Sequence, residues 1–167
     1  MQIAHEARGD CRKGAFMFRV FVAALALATL GGSPTVGQDV GRNPSFGTLN
    51  LNANFPNDPR WINVRAGGTR NARSVSGCDG SIADAPDVRV NYSAAPGFAL
   101  TFFVRSSADT ILVINDPSGA WHCDDDSGGN LDPLLKFTNP LSGQYDIWIG
   151  HYEGGRQIPA RLGVTER

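Results

Sequence analysis

VRVNYSAAPGFALTFFVRSSADTILVI, residues 88–114, decides the fold class. Val88, Val90 and Tyr92 alternate with Arg89 and Asn91. Phe98, Leu100, Phe102 and Val104 then alternate in the same way. A period of two puts one face of a strand on a core and the other toward water. Ile111 to Ile114 is instead continuously apolar, which suits a central strand covered on both faces. Ala95-Pro96-Gly97 separates the first two runs with turn-forming residues.

The same pattern continues outward. Tyr145, Ile147 and Ile149 alternate, as do Ile158, Ala160, Leu162 and Val164. Gly67-Gly68, Asp116-Pro117-Ser118-Gly119, Ser127-Gly128-Gly129-Asn130, Ser142-Gly143 and Gly154-Gly155 supply the punctuation. Nothing after residue 38 has the 3.6-residue period of a long amphipathic helix. The expectation is an all-β sandwich of about eight or nine short antiparallel strands, beginning near residue 46. Residues 39–45 (DVGRNPS) read as a flexible lead-in.

The N-terminal part has a different character. Arg8, Arg12, Lys13 and Arg19 precede an apolar run, Val20 to Leu30, and then Gly31-Gly32-Ser33-Pro34. Basic, apolar and small, in that order, is the pattern of a secretory signal peptide. The run is shorter than the roughly 20 residues a membrane-spanning helix needs. Residues 1–38 are therefore expected to be the signal and its cleavage region, with Met17 as a second possible start. Cleavage is expected between Gly32 and Gln38, leaving no membrane span and a periplasmic or secreted protein. The remaining chain has 11 Lys/Arg against 14 Asp/Glu, and Lys136 is its only lysine. A mildly acidic domain without a basic cluster is expected, and with it no nucleic-acid partner.

Cys11 falls within the signal, which leaves Cys78 and Cys123. An even number of cysteines in an exported chain predicts a disulfide. Two free thiols, or half of a metal site, are the alternatives, although neither cysteine belongs to a CxxC pair.

The densest motif is Trp121 to Pro133, WHCDDDSGGNLDP. Asp124, Asp125, Asp126, Asn130 and Asp132 are candidate ligands for calcium, which takes six to eight oxygens on a bent loop. It is not an EF-hand, because the position of the closing glutamate is Leu135. The competing reading is an acidic turn whose carboxylates accept backbone N–H bonds. Asp126-Ser127-Gly128-Gly129 also resembles the GDSGGP nucleophile motif of trypsin-like peptidases. Asp125 and Asn130 replace its flanking glycine and proline, and no histidine lies upstream at usable distance after residue 38. No catalytic residue is assigned. Trp121 and Trp148, with Trp61, are candidates for an aromatic ligand-binding platform or for core positions.

The order Asp109-Thr110-Ile111-Leu112-Val113-Ile114, Asp116-Pro117-Ser118-Gly119, Asp124-Asp125-Asp126-Ser127-Gly128-Gly129, Leu131-Asp132-Pro133 and Ser142-Gly143-Gln144-Tyr145-Asp146-Ile147-Trp148-Ile149-Gly150 resembles the bacterial pre-peptidase C-terminal domain. That family reads DTxLxLxxPxG, DDSG, P and SGxYxIxVG in this order. Residues 46–104 resemble its extended, cysteine-containing relatives, which occur as short stand-alone exported proteins. The resemblance implies a jelly-roll-like β-sandwich and a non-catalytic role. The functional expectation is an exported module that acts by binding or structural support, stabilised by calcium if the acidic loop holds it. Its partner would be a protein or a polysaccharide in the envelope or outside the cell. A carbohydrate- or protein-binding module using exposed tryptophans, and a serine hydrolase using Ser127, are the alternatives.

Overall fold

The computed structural model describes residues 38–167; the expected signal peptide lies almost entirely outside them. The described residues form two packed β-sheets, as the alternation predicts. One sheet contains β1 (Thr48–Asn52), β3 (Arg70–Asn71), β4 (Ser81–Ile82), β5 (Val88–Ser93), β7 (Thr110–Asn115), β8 (Trp121–Asp124) and β10 (Gly143–His151). The other runs β2 (Arg60–Ala66), β11 (Ile158–Thr165), β6 (Leu100–Ser106) and β9 (Leu134–Phe137). The strand number exceeds the expected eight or nine because β3 and β4 are two-residue pieces in a stretch too short to show a period.

Eight strands form a nested set of antiparallel pairs: β2 with β11, β5 with β10, β6 with β9, and β7 with β8. Successive pairs fall in alternate sheets, so one long antiparallel ribbon wraps into a jelly roll. The ribbon folds back on itself at residues 116–120, between β7 and β8. The richest turn signal in the sequence, residues 125–133, is the crossover from β8 in one sheet to β9 in the other.

One strand departs from the antiparallel expectation. β1 pairs parallel to β5, from Thr48 opposite Arg89 to Asn52 opposite Ser93. The preceding chain sets this direction. The Ser45 N–H donates to the Pro86 carbonyl at 2.9 Å and the Phe46 N–H to the Asp87 carbonyl at 2.7 Å. Both strands thus leave from one point. The same segment corrects the flexible lead-in: the Gln38 side chain donates to the Ala83 carbonyl at 2.7 Å, and Arg89 donates to the Val40 carbonyl at 2.7 Å. Residues 38–47 are docked on the 83–89 stretch by hydrogen bonds given in both directions, to the Ala83, Pro86 and Asp87 carbonyls and from the Arg89 side chain.

Between the sheets lies the main core, which includes Val88, Val90, Tyr92, Leu100, Phe102, Val104, Tyr145, Ile147, Ile149 and Leu162. Each is an inward position of the alternating runs. β7 behaves as its continuous apolar run predicts. Leu112 and Ile114 enter this core, while Ile111 and Val113 enter a second cluster with Ala72, Ile82 and Trp148 on the opposite face. The 67–87 excursion covers that face, and its 3-10 turn (Ala72–Ser74) is capped by Asn71, whose side chain accepts from the Arg73 N–H at 2.9 Å. Gly150 permits the close cover, since a Cβ there would stand 2.4 Å from Cγ1 of Ile111 and 2.8 Å from Cγ2 of Ile82.

Candidate functional site

Cys78 and Cys123 form a disulfide with a Cα–Cα distance of 6.1 Å, within the range such bonds require. It ties the excursion to the edge strand β8. Trp121 and Trp148 pack beside it, with ring centroids 5.2 Å apart and planes at 42°. Trp148 is 0% exposed, which corrects its reading as half of a ligand platform. Trp148 lies between Ile147 and Ile149, which face the main core, so its own side chain meets the excursion instead of water.

The acidic loop is held by its own carboxylates. Asp124 Oδ2 accepts the Ser127 N–H at 3.0 Å and the Leu134 N–H at 2.8 Å, while Oδ1 accepts the Ser127 hydroxyl at 2.5 Å. Asp132 is 5% exposed; its Oδ1 accepts the Ser106 N–H at 3.1 Å and its Oδ2 meets an Arg105 N–H at 3.3 Å. These two residues tie both ends of the loop to strands of the four-stranded sheet. Asp126 and Asn130 are exposed and Asp125 is half-buried. Among the described residues no three His, Cys, Asp or Glu side chains are gathered as a metal site. The five calcium candidates thus diverge, two inward to backbone and three outward. Burial, and then the charges of Asp126, Asp125 and Glu153, push the nearby Asp109 carboxyl up.

Ser127 donates to Asp124, while the His122 ring meets Asp116 Oδ2 at 2.8 Å. Burial pushes the Asp116 carboxyl up. The Ser118 hydroxyl, the His122 ring and the N–H groups of Ser118 and Ala120 outweigh burial and hold it below the ordinary value. His151 is 8% exposed and lies on β10 opposite Thr110 and Ser81. Ser127 and His122 are thus set in separate local networks, and the His151 Nδ1 is buried without a hydrogen-bond partner.

A surface that no sequence motif announced lies on the outer face of the four-stranded sheet. Trp61, Asn63 and Arg65 point out from β2, Phe103 and Arg105 from β6, Lys136 from β9, and Arg161 from β11. Gly163 sits in register between Trp61 and Phe103, and the two rings meet above it at 5.0 Å and 80°. The Arg161 guanidinium stacks on Trp61 at 4.5 Å, and that of Arg105 on Phe103 at 5.1 Å. Beside them a groove of about 750 Å³ is lined by Asn63, Arg65, Arg105, Ser106, Ser107 and Arg161, among others. The expectation of no basic cluster is thus corrected. The arginines are scattered over nearly 100 residues of sequence and meet only when β2, β6 and β11 pair. A recurring arginine at outward strand positions was the available signal.

No protein-family model matches the chain, and no curated protein matches it in sequence. Among solved structures it is similar to PliG of Aeromonas hydrophila, a periplasmic lysozyme inhibitor of g-type lysozyme. The identity is 15%, the TM-score is 0.38, and the match covers 71% of this chain and 96% of that one. A likeness at that level carries no argument about function.

Proposed function

We propose that the chain is an exported, non-catalytic β-sandwich module that acts by binding a partner through the open face of its four-stranded sheet. One observation carries this reading. The groove is lined by three arginines, two serines and Asn63 beside the apolar Phe46, Val64, Pro159 and Ala160, and its lining includes no carboxylate, histidine or cysteine. Such a set recognises a ligand by charge and hydrogen bonds. Proton transfer or nucleophilic attack would require a positioned base. The disulfide supports an oxidising compartment, periplasmic or extracellular. The nested jelly-roll pairing supports kinship with pre-peptidase C-terminal domains. Their first motif falls on β7 and the turn after it, their second on the crossover loop between β8 and β9, and their last on β10.

Site-specific photocrosslinking tests the binding role. A crosslinking residue at Asn63 lies on the groove, and one at Asn50, exposed on the other sheet, serves as control. Incubated with the envelope and culture fluid of the native host, the Asn63 probe is expected to give a discrete adduct that excess unlabelled protein suppresses. Equal adducts at both positions, or none at Asn63, would end this reading. N-terminal sequencing of the protein from the same host checks export, with a start expected near residues 33–39.

A further inference from the structure

The open face carries four cations, Arg65, Arg105, Lys136 and Arg161, and no carboxylate among the outward strand positions that flank them. This is unusual in a chain whose residues beyond 38 hold more Asp and Glu than Lys and Arg. The arrangement also works against stability. Arg105 and Arg161 stand directly opposite each other in the β6·β11 register, and like charges in that relation repel. Asp132 relieves one of them, at 3.3 Å from Arg105. A local conflict of this kind, on an otherwise consistent sandwich, points to function.

The two guanidiniums are also held in place. Each lies over an aromatic ring, and the rings brace each other over Gly163. A stacked guanidinium loses little freedom on binding, and that of Arg161 keeps its N–H fork at the edge for a carboxylate. Arg105 already gives one nitrogen to the Val104 carbonyl at 2.9 Å and to Asp132 at 3.3 Å, and offers its remaining N–H groups. Arg65 lies on β2 opposite Pro159, two residues along β11 from Arg161. The offset along the strand is therefore roughly 7 Å, which matches the repeat of same-side residues in an extended chain.

We propose that this face binds an acidic, extended peptide segment of a partner protein, whose carboxylates engage Arg65, Arg105 and Arg161. The proposal rests on the binding role above and names the class of ligand. Charge complementarity requires an anion. Two observations favour a peptide over an acidic polysaccharide. Arg161 already occupies one face of the Trp61 indole, and Phe103 meets the same ring edge-on, so the platform on which a sugar would stack is largely taken. Ser106, Ser107 and Asn63 add hydrogen-bonding groups along the groove that suit a peptide backbone. Residues 1–37 of this chain are a poor occupant, with four cations against two carboxylates.

Fluorescence anisotropy on the oxidised, signal-free chain tests this with labelled decaglutamate, decaglutamine and oligogalacturonate as probes. Decaglutamate is expected to bind at 20 mM salt (about ten times weaker at 200 mM), and decaglutamine not to bind. Arg65→Gln with Arg161→Gln should weaken binding at least tenfold while the melting temperature stays unchanged. Arg161→Lys, which keeps the charge but loses the stacked fork, should weaken it several-fold. Arg73→Gln, at an exposed cation on the excursion, should leave it unchanged. Equal loss in Arg73→Gln, binding of oligogalacturonate in preference to decaglutamate, or no saturable decaglutamate binding would each overturn the proposal. If the Asn63 crosslink persists in any of those cases, the binding role stands and only the acidic-peptide assignment falls.

Discussion

The two outer faces of the sandwich are built in opposite ways. On the seven-stranded sheet, the chain spends residues 67–87, a disulfide and Trp121 to cover Ile111, Val113 and Trp148. On the four-stranded sheet, Trp61 stays 39% exposed and arginines stand beside it in water. The covered face resembles a second small core; the open one resembles a surface kept for something else. Stability and recognition are thus assigned to different sides of one fold, and substitutions on the two sides should separate them.

The largest effect is expected on the covered face. Trp148→Ala removes a fully buried side chain and should cost about 3–5 kcal/mol in urea unfolding. Cys78→Ala with Cys123→Ala opens a crosslink spanning 45 positions and should cost about 4 kcal/mol in the chain-entropy model. On the open face, Arg161→Gln should stay within about 0.5 kcal/mol of the parent, as exposed substitutions usually do. Comparable losses on both faces would erase the division of labour.

Next in size is Gly163→Ala, the one change expected to make the open face costly. A Cβ there would stand 2.3 Å from Cζ of Phe103. The ring must move, its stack with Trp61 and Arg105 is lost, and overpacking of this kind costs about 1–3 kcal/mol. The double variant Gly163→Ala with Phe103→Leu should recover part of that loss, because the clash is with the ring. No recovery in the double variant would place the cost in the β11 backbone instead.

The covered and open sides could be read from the sequence to different depths. Core positions were legible because alternation repeats within single strands, and Ile111 to Ile114 announced a strand buried on both faces. The disulfide was legible from the number of cysteines and the exported context. The parallel β1 was not, since its direction is set by hydrogen bonds to residues 86 and 87, about 40 positions away. Trp148 misled for a related reason. Its outward parity predicts exposure only if nothing covers that face, and the cover comes from a segment without periodicity of its own. The groove was hidden because Arg65, Arg105 and Arg161 each read alone as an ordinary solvated strand residue. Register makes them a cluster, and register is a property of pairing.

The next effect is one of pH and concerns an acid beside the covered sheet. Asp87 is 1% exposed and its Oδ2 accepts the Ile149 N–H at 2.7 Å. Burial pushes its carboxyl up to about 7, against the lowering effect of that bond. In the unfolded chain the group titrates near 3.9. Because the folded value is the higher one, the protonated carboxyl stabilises the fold fully below about pH 4, and that contribution is lost as pH rises to about 7. Asp87→Asn should therefore be close to neutral at pH 4 and stabilising at pH 8. The arginines of the open face, solvated and always charged, should leave no such trace. A parent and an Asn variant that respond identically to pH would show that Asp87 is charged in the fold throughout.

The smallest effect is expected at the crossover loop between β8 and β9, where the chain passes from one sheet to the other. Asp124 accepts from the Ser127 and Leu134 N–H groups and the Ser127 hydroxyl, and Asp132 accepts from the Ser106 N–H and meets Arg105. A cation would have to displace those bonds to recruit either residue, leaving Asp125, Asp126 and Asn130 as readily available oxygen donors. That is fewer than the six to eight oxygens calcium takes. Thermal melts in 5 mM calcium and in chelator are accordingly expected to coincide. A ligand at a hundredfold excess over its Kd would instead add about 2.7 kcal/mol. Asp124→Asn, by contrast, should lower stability by about 1 kcal/mol in both conditions, because a charged acceptor of two N–H bonds and a hydroxyl becomes a neutral one. A calcium-dependent rise in melting temperature that Asp125→Asn abolishes would show that the loop rearranges around the ion. The crossover loop would then join the open face as a second site of recognition.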